Sequence, residues 1–160
     1  MTVNLFDPEW QERDRAGFRY RFASIGDRLG AEELGAAVFE LPPGQRTLYH
    51  AHHGNEELAL VLEGAPTLRT AAGERELAAG DCVLFRRGVE HGFCNRSDEL
   101  ARYVVFSTMI EPDIVEYPDS GKFGLFAGAA PKMGAGAPLE VFLDGSAGRD
   151  YYDGETPGTG

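Results

Sequence analysis

Three of the four histidines in this chain fall at positions that suit a shared metal ion. His50 and His52 are one residue apart in an extended segment, so their side chains point to the same face, about 7 Å apart along the strand. Glu57 lies on the next predicted strand and His91 on a later one. Three imidazoles and one carboxylate are a ligand set that divalent transition metals prefer. We therefore predict a mononuclear metal site formed by His50, His52, Glu57 and His91.

The metal itself is not determined by these residues. The ligand set suits Fe(II), Mn(II), Ni(II) or Zn(II), one ion per chain, and cellular availability decides among them. Four protein ligands leave up to two octahedral positions open for water, substrate or O₂. The fourth histidine, His53, adjoins Gly54 in a predicted turn, and we expect it not to be a ligand.

Segment 44–64 resembles the first conserved motif of the cupin superfamily. That motif has a glycine, five residues, His-x-His, four residues, a glutamate, six residues and a second glycine. The chain matches it at every position, with Gly44, His50, His52, Glu57 and Gly64.

A second stretch is similar to the other cupin motif, which is a glycine, five residues, Pro-x-Gly, two residues, a histidine, three residues and an asparagine. The matching residues are Gly80, Gly88, His91 and Asn95. Arg86 stands where a proline is usual. The resemblance covers about residues 34–110 and implies a double-stranded β-helix (jelly-roll) barrel with the metal inside.

Hydrophobic patterning independently favours an all-β fold, because short β-like runs recur between Gly and Pro positions. The predicted strands lie near 35–41, 47–52, 57–62, 66–70, 75–77, 82–85, 91–95 and 101–108. Length favours a single domain over residues 1–160 with a barrel core at about 34–110.

Extensions 1–33 and 111–160 flank this barrel, and the second is expected to wrap it. Residues 18–22 alternate in hydrophobicity and predict an edge strand, and 26–30 predicts a turn. The tail 154–160 lacks apolar residues and is expected to be mobile.

Composition restricts partners and location. A net charge of −11 argues against binding nucleic acid or anionic membrane surfaces. No apolar run approaches 18 residues and no signal peptide is recognisable, so we expect a cytoplasmic protein. Cys82 and Cys94 form no Cys-x-x-Cys motif and are expected to be buried free thiols.

The strand that begins at Glu57 also bears on assembly. If Glu57 faces the interior, Leu58, Leu60 and Leu62 form an apolar row on the outer face. Either the terminal extensions or a second subunit must cover this row. We predict a homodimer, with cover by the extensions as the alternative.

Three classes of function are compatible with these features. The first is a metal-dependent enzyme that acts on a small hydroxylated or carboxylated metabolite. Segments 26–30, 111–119 and 148–154 are similar to small microbial cupins of the sugar-phosphate-isomerase-like group, which implies isomerase-like chemistry. The second class is an Fe(II) dioxygenase that uses the same ligands. The third is a non-enzymatic module that binds or senses a small ligand.

Further residues are assigned roles around the predicted metal. Asn95 shares a face with His91 and is predicted to support a ligand by hydrogen bonding. Arg86 and Arg87 precede His91 and could meet an anionic substrate. Tyr49 and Tyr103 are the candidates for proton transfer, because Glu57 would be occupied as a ligand.

Overall fold

The computed structural model describes residues 2–129, 139–148 and Asp153. The predicted mobile tail, 154–160, lies outside the described residues. Within them the chain forms thirteen strands, one short α-helix and one 3₁₀ helix. The strands are β1 Gln11–Arg15, β2 Phe18–Ser24, β3 Leu34–Leu41, β4 Ala51–His52, β5 Glu57–Glu63, β6 Thr67–Thr70, β7 Gly73–Glu76, β8 Cys82–Phe85, β9 His91–Cys94, β10 Ala101–Thr108, β11 Asp113–Tyr117, β12 Lys122–Phe126 and β13 Glu140–Asp144. The helix α1 spans Ile25–Leu29, and the 3₁₀ helix spans Gly145–Ala147.

The strands form antiparallel sheets that enclose one principal core, as the all-β prediction requires. A six-stranded sheet has the order β1-β2-β3-β10-β5-β8, and two smaller sheets have the orders β13-β12-β11-β4 and β7-β6-β9. This is a double-stranded β-helix, or jelly-roll, barrel, and the prediction of that fold is confirmed. The buried members of the principal core are Leu41, Ala59, Val61, Leu68, Leu77, Phe85, Phe93, Ala101 and Tyr103.

Strand β5 alternates as predicted. Ala59 and Val61 are buried in the core, whereas the three leucines between and beyond them are only partly buried. Leu62 packs with Val3, Leu5 and Trp10 against a second buried cluster. The N-terminal extension therefore covers one end of the leucine row.

The N-terminal extension differs from expectation in two ways. Segment 18–22 is not an edge strand, because β1 pairs with the outer side of β2. The sequence of β1, Gln-Glu-Arg-Asp-Arg, has no apolar alternation to predict it. Segment 26–30 is largely helical, and Gly30 ends the helix in the left-handed conformation at φ 76°. Five helical residues are too few to display a helical period.

The C-terminal extension contributes to the sheet that carries His52. Strand β11 pairs with β4 through Val115 and His52, and β12 pairs with β11. None of the helices in the described residues has the length and apolar character needed to cross a bilayer.

Candidate metal centre

His50 and His91 are brought together by an antiparallel backbone bridge. The amide of His50 donates to the carbonyl of His91 at 2.9 Å, and the amide of His91 donates back at 2.8 Å. Directly opposed residues of an antiparallel pair project their side chains to the same face. Their ring centroids are consequently 4.7 Å apart, and the centroid of His52 lies 5.0 Å from that of His50.

All three histidines use the Nδ1 nitrogen to anchor the ring. His50 and His91 each place Nδ1 3.0 Å from a backbone carbonyl two residues earlier, at Leu48 and Val89. His52 instead places Nδ1 2.7 Å from Oδ2 of Asp113. With Nδ1–H as the donor, a neutral ring keeps its lone pair on Nε2. The Nε2 atom is therefore the nitrogen that each ring has available to bind a metal.

These Nε2 atoms surround the carboxylate of Glu57. Oε2 lies 2.8 Å from Nε2 of His91 and 3.9 Å from that of His50, and Oε1 lies 3.7 Å from Nε2 of His52. One ligand atom from each of His50, Glu57 and His91 fits within a mutual separation of 4.8 Å. His52 lies beside this group of three, facing the other carboxylate oxygen.

The contact between His91 and Glu57 indicates what the group can hold. If Nδ1 of His91 donates to Val89, a neutral His91 turns a lone pair towards a carboxylate oxygen, so two acceptors face each other. Either a proton on His91 or a cation between the two groups relieves this arrangement. Imidazole and carboxylate donors fit a divalent transition metal.

Burial and neighbouring charges hold Glu57 and His50 in the protonation states that bind a cation. Burial favours the neutral acid of Glu57, but the contact with His91 and the neighbouring histidines outweigh burial and lower the pKa of Glu57 to about 2. Burial lowers the pKa of His50 to about 4, assisted by His91. At neutral pH the carboxylate is therefore ionised and His50 is neutral, which are the metal-binding forms.

His52 differs electrostatically from His50. Burial disfavours its charged form, but the hydrogen bond to Asp113 and the charge of Glu57 outweigh burial and raise the pKa of His52. The pKa of Asp113 is lowered in turn, since the bond to His52 outweighs the effect of burial. Asp113 also accepts a bond from the amide of Gly54 at 2.8 Å, so both carboxylate oxygens are engaged.

The ring of Phe85 stacks on the ring of His91. The two rings are parallel within 3° with centroids 3.8 Å apart, and Phe85 is buried. The sequence analysis did not assign Phe85 or Asp113 to the site. Phe85 could be recognised only as an apolar strand residue, and Asp113 lies 61 residues from its partner.

One protein-family model matches part of this chain. The model described as "Cupin domain" matches residues 37–107, the stretch that contains all four predicted metal ligands. Residues 37–107, which are less than half of the chain, therefore match a cupin domain.

Solved structures agree with this cupin fold over most of the chain. A sugar phosphate isomerase of the cupin superfamily from Silicibacter pomeroyi superposes with a TM-score of 0.78 at 24% identity, over 96% of this chain and 98% of that one. A protein from Acidithiobacillus ferrooxidans, provisionally named a sugar phosphate isomerase, gives 0.77 at 24% identity over 91% of each chain. The polyketide cyclase RemF from Streptomyces resistomycificus gives 0.59 at 24% identity, over 68% and 78%. No curated protein sequence matches the chain significantly.

Steric crowding explains why the first cupin motif ends in a glycine, Gly64. Gly64 has φ 75°, and a Cβ at this position would clash with the carbonyl oxygen of Leu100. A side chain would therefore separate β5 from β10, the strand that carries Tyr103.

Asn95, from the second cupin motif, and His53 make their contacts outside the metal group. Asn95 is buried, and its amide nitrogen donates at 2.7 Å to the carbonyls of both Leu41 and Glu99. Its oxygen accepts from Ser97. The expected hydrogen bond from Asn95 to a metal ligand is replaced by these bonds, because the asparagine closes the turn between β9 and β10. His53 is exposed, with Nε2 3.1 Å from Glu116.

A cavity of about 250 Å³ opens beside the metal group. Of the other predicted residues, some line this cavity and others lie outside it. Tyr103 lines the cavity and is buried. Tyr49 lies outside this lining and donates to Glu90 at 2.7 Å. Arg86 and Arg87 are exposed and also lie outside it, because the turn before β9 points them to solvent.

The two cysteines differ from the expectation of buried thiols, since Cys82 is exposed and Cys94 is half-buried.

Proposed function

We propose that this cupin binds one divalent transition-metal ion through His50, His52, Glu57 and His91. The observation that carries the proposal is the arrangement of three imidazoles, each anchored through Nδ1, around the ionised carboxylate of Glu57 at the wall of a cavity. Their Nε2 atoms lie 2.8, 3.7 and 3.9 Å from its oxygens. We propose further that the protein is an enzyme with isomerase-like activity on a small hydroxylated or carboxylated metabolite.

The cavity supports catalysis over a purely structural metal. A structural site is closed by protein ligands, whereas a catalytic site faces space that a substrate can enter. All four proposed ligands line the cavity, so a substrate oxygen can approach them. When bound, the metal supplies Lewis-acid polarisation of a carbonyl or hydroxyl oxygen.

Of the two tyrosines predicted for proton transfer, Tyr103 is the one that lines the cavity. Burial raises the pKa of Tyr103 well above its ordinary value. The phenol is therefore protonated at neutral pH and can donate a hydrogen bond to a substrate oxygen. Phe39 stacks on its ring at 5.3 Å and holds it in place. We propose Tyr103, and no longer Tyr49, as the candidate for proton transfer.

The names of the structural neighbours support isomerase-like chemistry. Two of them are described as sugar phosphate isomerases, one provisionally, and cover nearly the whole chain. At 24% identity they share the fold of this chain, and we propose that the class of reaction in their names extends to it.

Metal analysis of untagged protein tests the proposal. We expect close to one metal ion per wild-type chain and loss of that metal in H91A, whereas H53A retains it as the matched control. Unchanged metal content in H52A and H91A would overturn the ligand assignment.

A second measurement addresses the reaction class. Entry of a substrate oxygen into the metal's coordination shell supports the enzyme. Substrate-dependent O₂ uptake by iron-loaded protein would favour a dioxygenase. Metal removal without loss of ligand binding would leave only a binding or sensing role.

We also propose that the protein is a cytoplasmic homodimer. The residues in register with Leu58 on the outer face are Phe106 on β10 and Leu84 on β8. Leu84 is exposed, and Leu58 and Phe106 are partly buried. A second subunit would remove this apolar patch from water. The cytoplasmic location rests on the charge and composition given above.

A further inference from the structure

The mouth of the cavity has a defined acidic side. Helix α1 and the residues after it contribute Asp27 and Glu32 to the lining, and both are exposed. Gly26 allows α1 to lie directly on β3, because a Cβ there would meet the carbonyl oxygen of Leu34 at 2.8 Å. The amide of Gly30 donates to the carbonyl of Asp27 at 3.1 Å. The backbone that presents these carboxylates is therefore held against the barrel.

Nearby cations are committed to other partners. Arg28, beside Asp27, lies 3.1 Å from the carboxylate of Glu9 and donates to the backbone carbonyl of Glu9 at 2.6 Å. Arg21 pairs with Glu40. Among the described lining residues, the side chains with a formal charge, histidines aside, are Asp27, Glu32 and Glu57.

The remaining walls of the cavity are uncharged, apart from the histidines, and include several aromatic side chains. They include Phe39 and Tyr103, which are stacked, and Tyr117, whose ring centroid lies 6.3 Å from that of His50. A volume of about 250 Å³ lies below the usual range for drug-sized ligands and suits a small metabolite.

These features narrow the substrate class. We propose, on the basis of the metal-dependent function above, that the site selects an uncharged hydroxy-carbonyl compound and that Asp27 and Glu32 reject phosphorylated analogues. A phosphate dianion that enters through the mouth would meet two carboxylates of like charge on the cavity lining. Such repulsion discriminates between otherwise similar ligands. The rejected class therefore includes sugar phosphates.

A matched pair of ligands tests this selection. Dihydroxyacetone and dihydroxyacetone phosphate carry the same hydroxy-ketone and differ only in the phosphate. Each is titrated into Mn(II)-loaded protein, and water-proton relaxation reports displacement of water from the metal. We expect the phosphate ester to bind roughly tenfold more weakly than the neutral ketone in wild type.

Variants locate the cause of the discrimination. D27N/E32Q should strengthen binding of the phosphate ester by roughly tenfold and leave the neutral ketone unchanged. Glu33 has the same charge as Glu32 and lies outside the cavity lining, so E33Q should change neither affinity. All three positions are exposed, so these substitutions should leave the fold intact.

The outcomes separate this inference from the proposed function. Phosphate-ester binding as tight as that of the ketone in wild type, or a ratio unchanged in D27N/E32Q, overturns the selection by Asp27 and Glu32. Failure of both ligands to displace water from bound Mn(II) overturns the open metal site itself. Failure of Mn(II) to bind at all overturns the ligand assignment.

Discussion

Asp113 holds His52 by a buried 2.7 Å hydrogen bond across 61 residues of sequence. The same carboxylate accepts the amide of Gly54 at 2.8 Å. The hydrogen bond thus links Asp113, the first residue of β11, to His52 on β4. It also sets which nitrogen of His52 faces Glu57.

Replacing Asp113 with asparagine should weaken metal binding. An amide has one acceptor oxygen, so it can satisfy His52 or Gly54 and must turn its NH₂ towards the other donor. Loss of such an outer-shell partner typically lowers metal affinity by about 10–100-fold. Competition with a chelator measures the change in D113N. E116Q is the control, because Glu116 lies on the same strand and contacts His53; equal affinities in D113N and wild type would contradict the role.

Truncation of Phe85 should destabilise the fold. Phe85 is buried against His91 and Phe93, and Phe→Ala changes in a core cost about 3–5 kcal/mol in the free energy of unfolding. F85L, which keeps most of the volume, should cost less. Urea denaturation measures both. The exposed Phe142 provides the control, since F142L should stay within about 0.5 kcal/mol of wild type.

Acid should remove a stabilising contribution from Glu40. Burial favours its neutral form, but hydrogen bonds from Arg21 and Arg102 outweigh burial and lower the pKa of Glu40 below its ordinary value of 4.5. A folded pKa below the unfolded one means that the stabilisation is complete above pH 4.5 and disappears as the pH falls through the lowered value.

The variant E40Q isolates this contribution. At pH 7 it leaves the buried Arg102 without its main partner and should lose about 3–5 kcal/mol of unfolding free energy. The difference from wild type should shrink as the pH falls below 4.5. Urea denaturation across pH measures it. E63Q should change stability by about 0–1 kcal/mol, because the Glu63 side chain is 54% exposed. A pH-independent difference between E40Q and wild type would contradict the ionic origin.

The outer apolar patch should mediate dimerisation. Light scattering of wild type at micromolar concentration should give the mass of two chains, and L84E should give one, because a buried, unpaired carboxylate disrupts an apolar interface. Leu143 is similarly exposed but lies on β13, so L143E should remain dimeric. A monomeric wild type would mean that the N-terminal segment, which already packs on Leu62, is sufficient cover.

Local patterns accounted for most of the barrel. Strand β5 alternates between buried Ala59 and Val61 and partly exposed leucines, because the side-chain period of two is written directly in neighbouring residues. Strand β1 and helix α1 escaped prediction, since one is wholly polar and the other has only five residues. Their structures depend on pairing and packing against β2 and β3.

The amino-acid sequence by itself determined the residue types of the candidate metal site, their spacing and the all-β class, because ligand chemistry and strand periodicity act over a few residues. Only the tertiary structure decided that Asp113 holds His52, that Phe85 stacks on His91, and that Asn95 closes a turn instead of supporting a ligand. It also decided that Tyr103 lines the cavity. These relationships join residues far apart in the chain, and their partners are selected by strand register and burial, which no local pattern encodes.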